Sequence, residues 1–65
     1  MPVVRVSWFE GKSHETKQKV AAEITDSIVR NTGTDAKYIY VIFDEVAMSD
    51  WADEGKLFGQ PPAEK

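Results

Sequence analysis

The chain has 65 residues, no cysteine and a formal net charge of −3. That length gives one domain, and a chain so short hides only about 60% of the surface its unfolded form exposes. With no disulfide and no Cys/His cluster to staple the fold, oligomerisation is the expected source of further burial. Lys and Arg are scattered, so neither a phosphate-binding surface nor a nucleic-acid partner is expected. No apolar run approaches a membrane span, and Met1-Pro2-Val3-Val4 lacks the features of a signal peptide, so a cytoplasmic protein without membrane contact is expected.

In Val3 to Phe9, Val4, Val6 and Trp8 alternate with Val3, Arg5, Ser7 and Phe9, a period of two that predicts a strand. Glu10-Gly11-Lys12 ends it. Ser13 is a good N-cap and Glu15 suits the first helical turn, although Thr16 stands where a capping box would have Glu. Val20, Ile24 and Ile28 recur four apart beside Ala21 and Val29, with Lys17, Lys19, Glu23, Asp26 and Arg30 on the wetter sides. This pattern predicts an amphipathic helix over 14–31, stopped at Asn31-Thr32-Gly33. Tyr38 to Val46 reads as a second strand, in which Ile39, Val41 and Phe43 oppose Tyr38, Tyr40 and Ile42.

A helix over 14–31 spans about 27 Å and a seven-residue strand about 23 Å, so the helix can return the chain to start a parallel partner. The expected fold is therefore α/β (α+β), one β-α-β subunit with parallel strands. A turn or short 3₁₀ piece should follow at 47–51, then a small hairpin around Gly55, then a mobile tail over 59–65. Both strand faces carry apolar side chains, and one helix covers only one of them. The other face calls for a second subunit.

Pro2 follows the initiator Met1 and opens the first strand. Excision of Met1 would make a secondary amine the first atom of the fold. An α-amino group titrates at about 7.7–8.0 in solution, and apolar burial lowers that value, which suits a neutral base near pH 7. The competing reading is that proline here permits methionine removal and nothing more.

Pro2, the segment Glu10 to Lys17, the strand ending Asp44-Glu45-Val46, and the segment Ser49 to Leu57 together resemble the 4-oxalocrotonate tautomerase family. Family members begin with Pro after methionine loss, carry Glu-Gly-Arg-Ser/Thr-x-Glu-Gln-Lys between strand and helix, and place an aromatic before a Gly-containing hairpin. The resemblance runs to about Leu57 and implies a β-α-β subunit, dimers that assemble to hexamers as trimers of dimers, no cofactor and no metal. It also implies catalysis by the terminal proline, which removes a proton from a 2-hydroxydienoate and returns it to carbon.

By the same resemblance Trp51 falls where the family keeps an aromatic that makes the proline's surroundings apolar. Lys12 takes the place of an Arg that binds a substrate carboxylate, keeping the charge without the planar bidentate fork. Tyr40 takes the place of a second Arg that binds carboxylate and polarises the carbonyl oxygen; its hydroxyl can donate a hydrogen bond but brings no charge. Arg5, which alternates onto the Val3, Ser7 and Phe9 side of the first strand, could supply the missing charge, although the family pattern does not place it there. The implied substrate is a small enol or unsaturated acid with one carboxylate.

Two further readings stand beside that one. Asp53 falls where related 3-chloroacrylic acid dehalogenases carry a water-activating Glu, so Pro2 as acid and Asp53 as base could hydrate an unsaturated acid; the competing and plainer reading of Asp53 is a hairpin turn residue. Alternatively the chain is a non-catalytic small-molecule-binding or assembly protein on the same scaffold. His14, alone in the first helical turn, reads as solvent-facing, and Trp8, Phe9, Phe43 and Phe58 as packing more than binding residues, although Phe58 could cover a neighbour's site.

Overall fold

The chain folds as the sequence pattern predicts, with a helix laid over one face of two parallel strands, and the computed structural model describes residues 1–59. Strand β1 (Val3–Phe9) leads to helix α1 (His14–Thr32), then to a 3₁₀ turn (Ala36–Tyr38) and strand β2 (Tyr40–Val46). A second 3₁₀ turn (Met48–Asp50) precedes a hairpin of β3 (Ala52–Asp53) and β4 (Lys56–Leu57). Residues 60–65, most of the expected tail, lie outside the described residues; Gly59 itself donates its N–H to the Met48 carbonyl at 3.1 Å.

Local chemistry sets the helix ends. Ser13 Oγ accepts the Thr16 N–H at 3.0 Å, satisfying one of the orphan donors of the first turn. Thr16, in the place of the capping-box Glu, receives the Ser13 hydroxyl through Oγ1 instead. At the far end Gly33, with φ 78°, donates its N–H to the Val29 carbonyl.

β1 and β2 run parallel in register from Val3 opposite Tyr40 to Phe9 opposite Val46. Side chains alternate across such a pair. Val4, Val6, Trp8, Val41 and Phe43 therefore share one face, which takes the half-buried Val20, Ile24 and Ile28 of α1. Val3, Arg5, Ser7, Phe9, Tyr40, Ile42 and Asp44 share the other. Among the described residues no helix covers that second face, where Val3 remains 54% and Tyr40 49% exposed.

Two expectations need correction. β2 begins at Tyr40 and not at Tyr38, because the Asp35 carboxylate accepts the Lys37 N–H at 3.2 Å and folds Ala36–Tyr38 into a 3₁₀ turn. Such a side-chain turn competes with the ladder, and it ends only at Ile39. Lys17 does not sit on the wet side of the helix, since its ammonium reaches the Glu45 carboxylate at 3.2 Å and ties α1 to β2.

Ile39, at 8% exposure, is the most deeply placed apolar side chain among the described residues, and every other core position is only half-buried. Full burial of a Val, Leu or Ile contributes about 1.5–3 kcal/mol. A single protomer collects little of that, which leaves its core thin.

Candidate functional site

The four residues assigned to catalysis and substrate binding fall at opposite ends of the strand pair. Pro2 and Tyr40 adjoin at one end, where the Tyr40 N–H donates to the Pro2 carbonyl at 3.0 Å. Lys12 and Trp51 lie at the other, beyond the last residues of β1 and β2. Seven strand residues separate the two groups by about 23 Å. One chain thus brings Pro2 to Tyr40 but not to Lys12 or Trp51.

Pro2 is half-buried behind Met1, which is 83% exposed, so the bond that must be cut to free the proline nitrogen is accessible. The Tyr40 side chain shares the uncovered face with Val3 and Ile42. Tyr40 therefore faces away from α1.

At the opposite end, Gly11 with φ 113° turns the chain so that Lys12 folds back over β1. Its Nζ donates to the Phe9 carbonyl at 3.0 Å and lies 4.8 Å from the centroid of the Trp8 ring. The edge involved can be deduced from the ladder. Tyr40 N–H bonds the Pro2 carbonyl and Glu10 N–H the Val46 carbonyl, so the even-numbered residues of this strand point toward β2. The Phe9 carbonyl points the other way, and the Lys12 ammonium sits at the free edge of β1.

Trp51 packs against Phe9 at 4.6 Å between ring centroids, and Phe58 meets the same ring at 5.7 Å. The hairpin holds this aromatic cluster in place, for Phe58 N–H donates to the Trp51 carbonyl at 2.8 Å. Asp53 is exposed within the hairpin, in register with Lys56. Arg5, considered as a substitute charge, is engaged by Asp44 across the uncovered face at 3.4 Å. Sequence reasoning treated Trp8 as packing alone and missed its contact with Lys12; the spacing Trp8-x-Glu10-Gly11-Lys12 with a glycine turn was the available signal.

Two grooves among the described residues lie away from the expected site residues. A groove of about 460 Å³ runs beside Ala21, Ala22, Thr25 and Val29, and another of about 330 Å³ lies between His14, Lys17 and Phe43. Neither is lined by Pro2, Lys12, Tyr40 or Trp51. Among the described residues no group of three or more His, Cys, Asp or Glu side chains could hold a metal ion, and no helix is long and apolar enough to cross a membrane.

A β-α-β unit with parallel strands, a C-terminal hairpin and a proline at the head of β1 defines a protein class that comparison identifies. Residues 2–60 match the family model described as tautomerase enzyme, and the chain belongs to that family. It is 66% identical over 62 residues to the probable tautomerase RSp1151 of Ralstonia nicotianae, covering 95% of each chain. Among solved structures it resembles the 4-oxalocrotonate tautomerase homologue TTHB242, with TM-score 0.83 and 33% identity over 89% of this chain and 92% of that one. The heterohexameric 4-oxalocrotonate tautomerase of Chloroflexus aurantiacus shares the fold at TM-score 0.80 and 22% identity, over 89% of this chain and 94% of that one.

Proposed function

We propose that this chain is the protomer of a cofactor-free tautomerase in which Pro2, freed by removal of Met1, is the base that moves a proton on a small enol acid. The observation that carries the reading is the split of the site residues between the two ends of the strand pair. Pro2 and Tyr40 of one protomer become useful only when the Lys12 and Trp51 end of a neighbour is brought against them. A protomer with one uncovered sheet face and an ammonium at a free strand edge is suited to that assembly, and a hexamer is the expected form.

In the reaction the neutral amine of Pro2 takes the proton of the enol hydroxyl. The electron pair released forms the carbonyl, the carbon–carbon double bond shifts, and the same proton is delivered from the ammonium to carbon. The amine ends as it began. Trp51 keeps the nitrogen's surroundings apolar, which favours its neutral form. Lys12 holds the substrate carboxylate as a point charge, and the Tyr40 hydroxyl donates to the oxygen on which charge develops. With one cation in place of two, the favoured substrate has one carboxylate.

The test is Pro2→Ala, assayed on phenylenolpyruvate after intact-mass measurement has established loss of Met1 from the wild type. Turnover should fall about hundredfold or more, within the range of general-base contributions. Unchanged turnover, or a wild-type mass that retains methionine, would overturn the reading.

A further inference from the structure

We infer that Trp8 is a positioning residue for substrate binding, holding the Lys12 ammonium in the single orientation that its missing guanidinium fork would otherwise have supplied. The inference deepens the proposed function and rests on its assignment of Lys12 to the substrate carboxylate.

Lysine is a poor carboxylate clamp when free, because its charge sits at the end of a flexible four-carbon stem. Here the stem is restrained twice. One N–H of the ammonium is committed to the Phe9 carbonyl at 3.0 Å, and the charge lies 4.8 Å from the centre of the Trp8 ring. Trp8 is fixed in turn by Phe43, whose ring stacks on it at 5.0 Å with planes only 11° apart. Two N–H bonds remain for a carboxylate arriving at the free edge of β1.

The choice of tryptophan is itself informative. Its indole Nε1 is buried with no hydrogen-bond partner among the described residues. Burying an unpaired donor is unfavourable, and phenylalanine or leucine would fill a packing position without that penalty. Tryptophan is, however, the aromatic that attracts a cation most strongly. Packing alone does not account for Trp8; packing together with a cation on its face does.

The test is a double-mutant cycle on phenylenolpyruvate with Trp8→Leu, Trp8→Phe, Lys12→Ala and the pair Trp8→Leu/Lys12→Ala. Loss of an orienting contact to a carboxylate clamp removes binding common to substrate and transition state. Trp8→Leu should therefore raise KM about five- to tenfold with kcat within about twofold, while Trp8→Phe keeps most of the affinity. In the Lys12→Ala background Trp8→Leu should change KM no further. An equal rise in KM with and without Lys12, or a fall in kcat at constant KM, would show a purely structural tryptophan and overturn the inference. If Lys12→Ala leaves KM unchanged, the carboxylate role of Lys12 fails, and this inference with it, without touching Pro2. Should Trp8→Leu not fold, the Trp8→Phe variant and the ring-current shift of the Lys12 ε-protons decide: unshifted ε-protons in the wild type would overturn the contact.

Discussion

Arg5 and Asp44 are paired across the uncovered face of the sheet, Nη1 to Oδ1 at 3.4 Å, with Asp44 also receiving the Ser7 hydroxyl at 3.4 Å. Their surroundings are apolar, with Val3, Ile42 and Tyr40 exposed beside them. In a lone protomer such an exposed pair contributes about 0–1 kcal/mol. Once a neighbour covers the face, removing one partner leaves an uncompensated charge at a cost of about 3–5 kcal/mol. Arg5→Ala is therefore expected to raise the protein concentration needed for assembly by about a hundredfold or more, read by sedimentation velocity. Arg5→Leu/Asp44→Leu should restore assembly. An unchanged distribution for Arg5→Ala would mean that this face stays open to water in the oligomer.

Tyr40 gives a test of substrate choice. Its hydroxyl supplies one neutral hydrogen bond, and Tyr40→Phe should lower kcat/KM about three- to tenfold on a monocarboxylate enol. Tyr40→Arg restores a second cation beside Pro2. It is expected to raise kcat/KM on 2-hydroxymuconate, a dicarboxylate, at least tenfold relative to phenylenolpyruvate. A parallel change on both substrates would remove Tyr40 from carboxylate recognition.

The parts of the fold governed by neighbouring residues were legible in the sequence. Alternation gave β1 its two faces, Ser13 and Gly33 marked the helix ends, and Gly55 marked the hairpin turn. The misreading at Tyr38 arose because Tyr38 and Ile39 continue the strand's alternation, while the competing signal was a single carboxylate at Asp35 bonding two residues on. Lys17 was placed by helical period, which carries no information about its long-range partner Glu45. The separation of Pro2 from Lys12 follows from the length of β1 between them, and the meeting of Pro2 with Tyr40 from the parallel topology already expected. The Trp8 contact does not, because it depends on how Gly11 turns the chain.

The hairpin carries a correctable strain. Glu54 and Gly55 both have positive φ, 54° and 81°, as a type I′ turn requires. A left-handed conformation costs a non-glycine residue about 1–2 kcal/mol, and asparagine tolerates it better than glutamate. Glu54→Asn should stabilise the protein by about 0.5–1 kcal/mol per protomer, measured as a higher urea midpoint at fixed protein concentration. No gain would mean that the turn frays and does not restrain the hairpin.

Gly59 closes the hairpin against the turn before it, and there is no room for a side chain. A Cβ built there would lie 2.8 Å from Met48 Cβ and 2.9 Å from the Ser49 backbone nitrogen. The atoms it meets belong to backbone and near-backbone positions, which cannot rotate away. Gly59→Ala must therefore lengthen the 3.1 Å bond from its own N–H to the Met48 carbonyl. Phe58 and Trp51 are joined to that closure by the adjacent 2.8 Å hydrogen bond, so the aromatic cluster with Phe9 loosens with it. The expected result is a loss of about 1–3 kcal/mol in stability together with a weaker near-ultraviolet circular dichroism signal from Trp51. Because Trp51 shelters the proline nitrogen of a neighbour in the proposed site, kcat should fall while Met1 removal proceeds normally. A variant with native stability and an unaltered aromatic signal would show that the segment after Leu57 does not hold Trp51 in place.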